Sequence, residues 1–450
     1  MAQPWWQREA IYQLYPRSFA DSNGDGIGDL PGVIERLEYL DWLGVGGIWL
    51  NPIYPSPNAD WGYDVADYCD VHSDLGTRGD IDRLVEEANA RGIEIVLDLV
   101  PGHSSDEHPW FSDPKKRDWY IWSDKPGEET SVFGGPSWTG RDGAWYFHAF
   151  HRKQPNLNWF NEDLRAAFDD VLRFWFDRGL AGFRIDVSHD FVRDSEGRVR
   201  RDVTHDVLRR WRRLADTYEP PRILIGETWV HDLAELITFY GQGDELHMAF
   251  NFPFVFAQLE ALPDVVDRTD AILPAGAWPI WTLSNHDVAR FATRVCGGDE
   301  RKIRCALLAL LTLRGTPVLY QGDDLGLEQV EVPPERVRDV DGRDGCRTPL
   351  PWTRDGGWPD PWLPLGDTAR NVADERTDPR SILSFVRDLL ARRRASEDLR
   401  SGVYAPLAAP EGVWAYRRGV RTTVVLNLSD APARFEGRDL DAWDGMILDV

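Results

Sequence analysis

The chain has 450 residues, 42% of them hydrophobic, which is enough to bury a large core and to build more than one domain. Its 51 basic residues stand against 75 acidic ones, a formal net charge of −24. That balance argues against nucleic acid or an anionic membrane as a partner and is compatible with a small neutral ligand.

The first expected strand is Ala10–Tyr15, closed by Pro16. A glycine-rich loop follows: Asp21-Ser-Asn23-Gly-Asp25-Gly-Ile27-Gly-Asp29. Oxygen-bearing side chains fall at every second position on a tight turn, a composition that suits a hard cation. The loop opens like an EF-hand, but its twelfth position is Gly32 where the bidentate glutamate belongs, so it is not one. A solvated Asx-turn without metal is the alternative.

Pro31–Leu43 reads as an amphipathic helix that returns to a second buried strand, Val45–Leu50. The Pro-rich loop after it carries Trp61-Gly-Tyr63-Asp64. Ile81–Arg91 is an expected helix and Ile93–Val100 a third strand, ended by Pro101-Gly102-His103. Strand–helix alternation with continuously apolar strands implies a parallel sheet covered by helices. From about Ser104 to Asp163 the rhythm breaks into a loop-rich, aromatic stretch, the mark of a functional insertion.

Leu164–Arg178 resumes as a helix and leads into Gly182-Phe-Arg-Ile-Asp186-Val187. Then come a helix (Asp202–Thr217), the strand Ile223–Glu227, a helix near Leu233–Tyr240 and a strand near His247–Phe252. After a stretch of little pattern follow the strand ending at Asp287, helix Lys302–Leu313 and an eighth strand, Thr316–Gln321. A long loop runs to about Asp378, and Ser381–Arg394 is a last helix. Beyond Gly402, short β-prone runs (Val413–Tyr416, Thr422–Leu428) suggest a small antiparallel domain.

The four cysteines (Cys69, Cys296, Cys305, Cys346) follow no metal-type spacing and are too sparse for a disulfide scaffold. The amino terminus lacks a basic stretch followed by an apolar one, so no secretory signal is visible. No apolar run approaches the roughly 20 residues of a membrane span. A cytoplasmic location is expected.

Residues two apart in a strand share a face, so Arg184 and Asp186 project together, and a cation beside a carboxylate favours its ionised form. Alone, that pair reads first as a structural ion pair at the end of a buried strand. Two further strands, however, end in carboxylates at Glu227 and Asp287. Three acidic side chains delivered from strand ends is the layout of a site on a parallel β/α scaffold.

With the runs GFRID, GET, SNHD, QPNLN and GRDGCRTPLPW in this order, the chain resembles the α-amylase superfamily, glycoside hydrolase family 13, in its oligo-1,6-glucosidase/α-glucosidase branch. The resemblance runs from Trp5 to about Trp352 and more loosely to the end. It implies an α/β fold: a (β/α)8 TIM barrel (residues 1–103 and 164–398) with an inserted loop-rich domain B (104–163) and a small C-terminal antiparallel β domain (399–450). It implies Asp186 as nucleophile, Glu227 as general acid/base and Asp287 as the carboxylate that grips sugar hydroxyls, hence a retaining mechanism with the first two carboxyl groups about 5–5.5 Å apart. Asp64 and Arg347 match the pair that anchors the terminal glucose, and Tyr63 its stacking platform. His103, Arg184 and His286 match hydroxyl-binding residues, and Phe150 an aromatic of domain B. Asp21, Asn23, Asp25 and Asp29, with the carbonyl of Ile27, match a structural Ca²⁺ site. The chain departs from the branch at Gly102 (usually Asn) and Asn156 (usually Asp).

The expected activity is therefore exo-acting release of α-glucose from short α-glucosides, with a small-molecule substrate, no organic cofactor, and neither nucleic acid nor membrane as partner. A transglucosidase or sucrose/maltose isomerase using the same triad is the alternative. A non-catalytic binding member of the family is disfavoured by the presence of all three carboxylates. In the branch, the residue matching Val187 is associated with α-1,6 against α-1,4 linkage.

Overall fold

A computed structural model describes residues 3–449. Eight short strands form its centre: β1 (Ile11–Leu14), β2 (Gly47–Leu50), β3 (Glu94–Leu99), β4 (Gly182–Ile185), β5 (Ile223–Gly226), β6 (Met248–Ala249), β7 (Ile280–Thr282) and β8 (Thr316–Tyr320). All pair in parallel in chain order, and β8 returns to β1 with Ile11 opposite Val318. A parallel bridge between Phe250 and Ile280 joins β6 to β7, so the sheet closes on itself and leaves no open edge.

Alternation along the strands sorts their side chains into two cores. Ile11, Trp49, Val96, Ile225, Met248, Ile280 and Val318 pack together inside the ring. Tyr12, Ile48, Leu97, Phe183, Leu224 and Leu319 face outward into the larger core under the helices. Both faces are dry, which is why the strands read as continuous apolar runs.

The outer helices include Arg78–Asn89, Glu162–Phe176, Arg201–Ala215, Glu300–Thr312 and Ile382–Ala395. Thr77 and Asp80 form a capping box on the first of these, and Ile81, Leu84, Val85 and Ala88 are its buried stripe. The expected helix over 31–43 is two pieces, Leu30–Glu35 and Leu37–Leu43, which break at Arg36 (φ −101°, ψ 6°). There the guanidinium lies 4.2 Å above the Trp352 ring. The patternless stretch after β6 contains a helix, Leu262–Ile272. Only Leu262, Val266 and Thr269 of it are buried, a stripe too narrow to show as an apolar period.

Between β3 and β4 the chain leaves the barrel and builds a small antiparallel sheet from Trp122–Ser123, Trp138–Arg141 and Ala144–Phe147. This excursion is tied down next to His103, where Leu157 N donates to Gly102 O (3.1 Å). At the other end of the chain β9 (Tyr404–Leu407), β10 (Val413–Arg418), β11 (Thr422–Asn427) and β12 (Gly445–Asp449) form an antiparallel sheet in that order. β9 and β12 are its edges and carry partly exposed side chains, so neither stands out in the sequence.

Candidate active site

The polar side chains of interest cluster where the barrel strands end. Backbone ladder bonds continue one residue past β4 and β5: Asp186 N donates to Leu99 O (2.8 Å) and Glu227 N to Ile185 O (2.9 Å). The two carboxylates are thus presented by the barrel itself and not by free loops. Between them stands Val187, a β-branched residue at φ +45°, where such residues are strained. In that conformation its N–H donates to Glu227 Oε2 (2.8 Å).

Arg184, 1% exposed, binds three acids at once. Its Nη1 donates to Asp98 Oδ1 and to Asp186 Oδ1, both at 2.7 Å, and its Nη2 lies 2.9 Å from Glu227 Oε2. Asp98, from within β3, also accepts from Tyr63 OH (3.0 Å) and Trp49 Nε1 (3.2 Å). One cation among three buried carboxylates is too few. Burial pushes the Asp98 carboxyl up to about 7 against the pull of Arg184, and the charge of Glu227 adds to the rise. Burial likewise holds Asp186 well above the ordinary carboxylate range, with Arg184 opposing and Glu227, Asp98 and Asp287 reinforcing. The Arg184–Asp186 pairing expected from the strand geometry is present, but it does not by itself keep Asp186 ionised. Asp98 and Asp186 share the Arg184 guanidinium, so each raises the other's affinity for a proton.

Asp287 has the opposite surroundings. Its Oδ1 accepts from Arg343 Nη1 (3.0 Å) and Arg347 Nη2 (2.9 Å), and its Oδ2 lies 3.1 Å from His286 Nε2. Burial pushes its carboxyl up, but His286, Arg343, Arg347 and Arg184 outweigh burial and hold it below the usual range. Burial keeps His286 neutral, far below its ordinary pKa.

The pair expected to anchor the terminal glucose is not an ion pair here. Asp64 does not meet Arg347. Asp64 is fully buried and its carboxylate accepts from Ser56 Oγ (2.6 Å), Ala59 N (2.8 Å) and Asp60 N (3.0 Å). Arg347, also fully buried, donates to His286 O (2.8 Å) and supports Asp287 from beneath. The ion pair at the cavity is Asp60–Arg343, four residues earlier on both sides, at 2.6 Å. Asp339 binds the same guanidinium (2.6 Å), and Gln154 Nε2 donates to Asp60 Oδ2 (2.8 Å).

Above these groups opens a cavity of about 400 Å³, lined among others by Asp60, Tyr63, His103, Phe150, Asp186, Glu227, Asp287 and Arg343. All three strand-end carboxylates face it. Of the expected ligand-binding residues, Tyr63, His103 and Phe150 line it, whereas Asp64, Arg184, His286 and Arg347 lie beneath or behind. Tyr63 stacks on His286 (centroids 5.3 Å, planes 8° apart) and turns its hydroxyl inward, where Asn51 Nδ2 donates to it (2.8 Å). His103 lies edge-on to Phe150 (5.4 Å) and its Nε2 donates to Tyr63 O (3.1 Å). Burial pushes its pKa down to about 4, so it is neutral. Val132, Phe133, His189, Asp190, Arg193, Trp229 and Asp341 also line the cavity. None of these was legible as a site residue, because each lies in an irregular loop outside the motif runs or beside them.

The two departures from the family pattern touch each other: Asn156 Nδ2 donates to Gly102 O (2.9 Å), and Asn156 Oδ1 accepts from Ala149 N (2.6 Å). An aspartate could not make the first of these bonds.

In the Asp21–Asp29 loop, Asp21 accepts from the amides of Asn23 (3.0 Å), Gly24 (2.7 Å) and Gly26 (2.8 Å), Asn23 from that of Asp25 (2.9 Å) and Asp25 from that of Ile27 (2.8 Å). Asp29 caps helix Leu30–Glu35 through Gly32 N (2.7 Å). The side chains are hard oxygen donors and fit Ca²⁺ by chemistry. As they stand they satisfy the loop's own backbone. Among the described residues no three His, Cys, Asp or Glu side chains converge as a metal-binding group.

Comparison with known proteins places this geometry. Residues 13–402 match the alpha-amylase catalytic domain. The chain is 34% identical to a glucan 1,6-alpha-glucosidase of Streptococcus pneumoniae serotype 4, covering 96% of this chain and 92% of that one. It is 36% identical to a probable alpha-glucosidase of Rhizobium meliloti, over 88% and 84% of the two chains. Among solved structures, the alpha-glucosyl transfer enzyme XgtA superimposes with a TM-score of 0.92 at 34% identity, over 99% of both chains.

Proposed function

This chain belongs to the alpha-amylase family and is a glycoside hydrolase with α-glucosidase activity, and we propose that it works from chain ends with retention of the anomeric configuration. One observation carries the proposal: Arg184 binds both Asp186 and Glu227 beneath a cavity of about 400 Å³. In this reading Glu227 gives its proton to the glycosidic oxygen while Asp186 attacks the anomeric carbon. The C–O bond to the leaving sugar breaks and a glucosyl ester forms. Water then loses a proton to Glu227 and its oxygen attacks the same carbon, which restores Asp186. Asp287, kept ionised by its cationic neighbours, grips sugar hydroxyls and faces the positive charge that develops at the ring.

Asp60 and Arg343, in place of Asp64 and Arg347, are proposed to hold the non-reducing-end glucose. A charged pair in the cavity wall can accept from and donate to the hydroxyls of a terminal sugar, which supports exo action. Short α-1,6-linked glucosides are the proposed substrates, a reading supported by the names of the glucan 1,6- and oligo-1,6-glucosidase relatives and by Val187 beside the nucleophile. Release of glucose from isomaltose, maltose, sucrose and p-nitrophenyl α-glucoside tests this. Isomaltose should outperform maltose in kcat/KM, and the first glucose released should be the α-anomer. A β-anomer would overturn the retaining mechanism. Trisaccharide as the main product from concentrated maltose would convert the hydrolase into a transglucosidase, the reading that the likeness to XgtA brings with it.

Ca²⁺ is proposed as a structural ion of the Asp21–Asp29 loop, supported by its alternating oxygen donors. Chelation should lower the melting temperature by a few degrees without changing KM, on the order of 1 kcal/mol for a single weak site. An unchanged melting curve would leave the loop as a metal-free Asx-turn.

A further inference from the structure

Asp64 sits outside the cavity, yet it is among the most completely satisfied buried acids of the region. The stretch it belongs to is strained. Within five residues Asn58 (φ +62°), Trp61 (φ +47°) and Gly62 (φ +110°) all adopt left-handed backbone, and two of the three carry side chains. An aromatic residue at positive φ persists only where its surroundings over-determine it. The surroundings here are explicit. Asp64 takes the hydroxyl of Ser56 and the amides of Ala59 and Asp60, and Ser56 Oγ in turn accepts from Asn58 N (3.0 Å). Arg17 Nη2 holds Asn58 Oδ1 (2.8 Å), and Trp61 packs on Trp362 (4.9 Å) while its Nε1 donates to Arg338 O (3.2 Å). A Cβ on Gly62 would meet Pro52 O at 3.2 Å, so the turn has little freedom to relax on that side.

The product of this construction is the direction of one side chain. Asp60, whose amide is held by Asp64, points away from the clamp to Arg343 and Gln154, and with Arg343 it lines the cavity. We propose that Asp64 is a positioning residue for the substrate site: its buried carboxylate clamps the turn 56–64 so that Asp60 is presented to Arg343 in the geometry that receives the terminal glucose. The inference rests on the reading that Asp60 and Arg343 form that subsite, and it adds the element that builds it. It also accounts for two aspartates occurring four residues apart in one short motif. One is turned to the ligand and the other to the backbone that aims it. A carboxylate suits the clamp because three donors converge on it, and two oxygens with no hydrogen of their own can accept all three.

A double-mutant cycle on kcat and KM for p-nitrophenyl α-glucoside, with glucose as competitive inhibitor, separates the possibilities. Asp60→Ala should raise KM and the glucose inhibition constant about tenfold or more, because a displaced or missing contact at a positioning group costs ten- to a hundredfold. Asp64→Ala should reproduce most of that rise with kcat changed far less, and the double variant should be no worse than Asp60→Ala alone, since Asp64 acts through Asp60. Asp64→Asn, which keeps one acceptor oxygen and loses the other, should fall between wild type and Asp64→Ala. Ser56→Ala removes one donor without touching the carboxylate and should show a smaller shift in the same direction. It carries the test if Asp64→Ala does not fold. If Asp60→Ala leaves KM unchanged, the subsite reading is wrong. If Asp60→Ala raises KM but the Asp64 and Ser56 variants do not, or if the two aspartate losses simply multiply, the positioning role is wrong while the subsite stands.

Discussion

Two acidic clusters share the floor of this cavity, and they differ in one ratio. Around Arg184, Asp98, Asp186 and Glu227 compete for a single guanidinium. Around Arg343 and Arg347, Asp60, Asp287 and Asp339 are served by two, with neutral His286 beside Asp287. In the first, burial and mutual repulsion outweigh the cation, and a proton stays. In the second the cations prevail and Asp287 stays ionised. Each strand-end carboxylate is the same chemical group in a similarly dry place, so what divides them is the set of partners: one arginine shared by three acids in the first cluster, His286 together with two arginines in the second. Fold alone does not set it: Asp186 and Asp287 both follow barrel strands.

The largest expected effect lies in the first cluster. Asp186→Ala should reduce turnover by at least about a thousandfold on every substrate while the chain remains folded, in keeping with loss of a covalent nucleophile. It relieves the crowding around Arg184, so stability should hold or rise even as activity disappears. Measured kcat together with a melting curve checks both halves. A variant that retains wild-type turnover would remove Asp186 from the reaction.

How much of this was readable in the sequence follows the same division. Asp186, Glu227 and Asp287 were legible because each ends a short apolar run, and strand ends of a parallel barrel converge whatever the loops do. The second cluster was legible only in outline. Its motifs contain two aspartates (Asp60, Asp64) and two arginines (Arg343, Arg347), each pair four residues apart, and nothing in composition says which member faces the cavity. Backbone decides it. Left-handed residues at Asn58 and Trp61 turn Asp60 outward, and across the turn Arg343–Cys346 both arginines reach Asp287 and Asp339, but only Arg343 reaches Asp60 while Arg347 runs back to His286 O. Asp98 was missed because a lone aspartate inside a buried strand carries no pattern of its own until Arg184 is seen beside it on the neighbouring strand.

A smaller effect is expected from removing the cation of the second cluster. Arg343→Ala leaves Asp60, Asp287 and Asp339 short of a partner and should lower kcat/KM about a hundredfold, the scale of losing one side of a buried charge pair. Arg343→Lys should recover little of it, because one ammonium cannot reproduce the planar fork that meets Asp60, Asp287 and Asp339 together. If the Arg343→Lys variant keeps full activity, the cluster needs only charge and its geometry is incidental.

The smallest expected effect is also the most direct reading of the ratio. The Asp98 carboxyl rises from 3.8 to about 7 on folding, so between those values the folded chain keeps a proton that the unfolded chain releases. Its contribution to stability is therefore complete below pH 3.8 and is lost as pH climbs toward about 7, at no more than about 1.4 kcal/mol per pH unit for one proton. Asp287 is depressed, so its contribution is present above 3.8 and is lost only as pH falls below that value. Relative to wild type, Asp98→Asn should gain stability as pH rises from 4 to 7, because an amide has no proton to lose. Asp287→Asn should instead close its deficit as pH drops below about 4, where the unfolded chain's carboxylate takes up a proton while the folded one, held below the usual range, stays ionised. Denaturant midpoints from below pH 4 up to 7 give opposite trends relative to wild type if the two clusters differ in the way described, Asp287→Asn changing below about 4 and Asp98→Asn above it. Parallel profiles would mean that burial alone, and not the number of arginines, governs both.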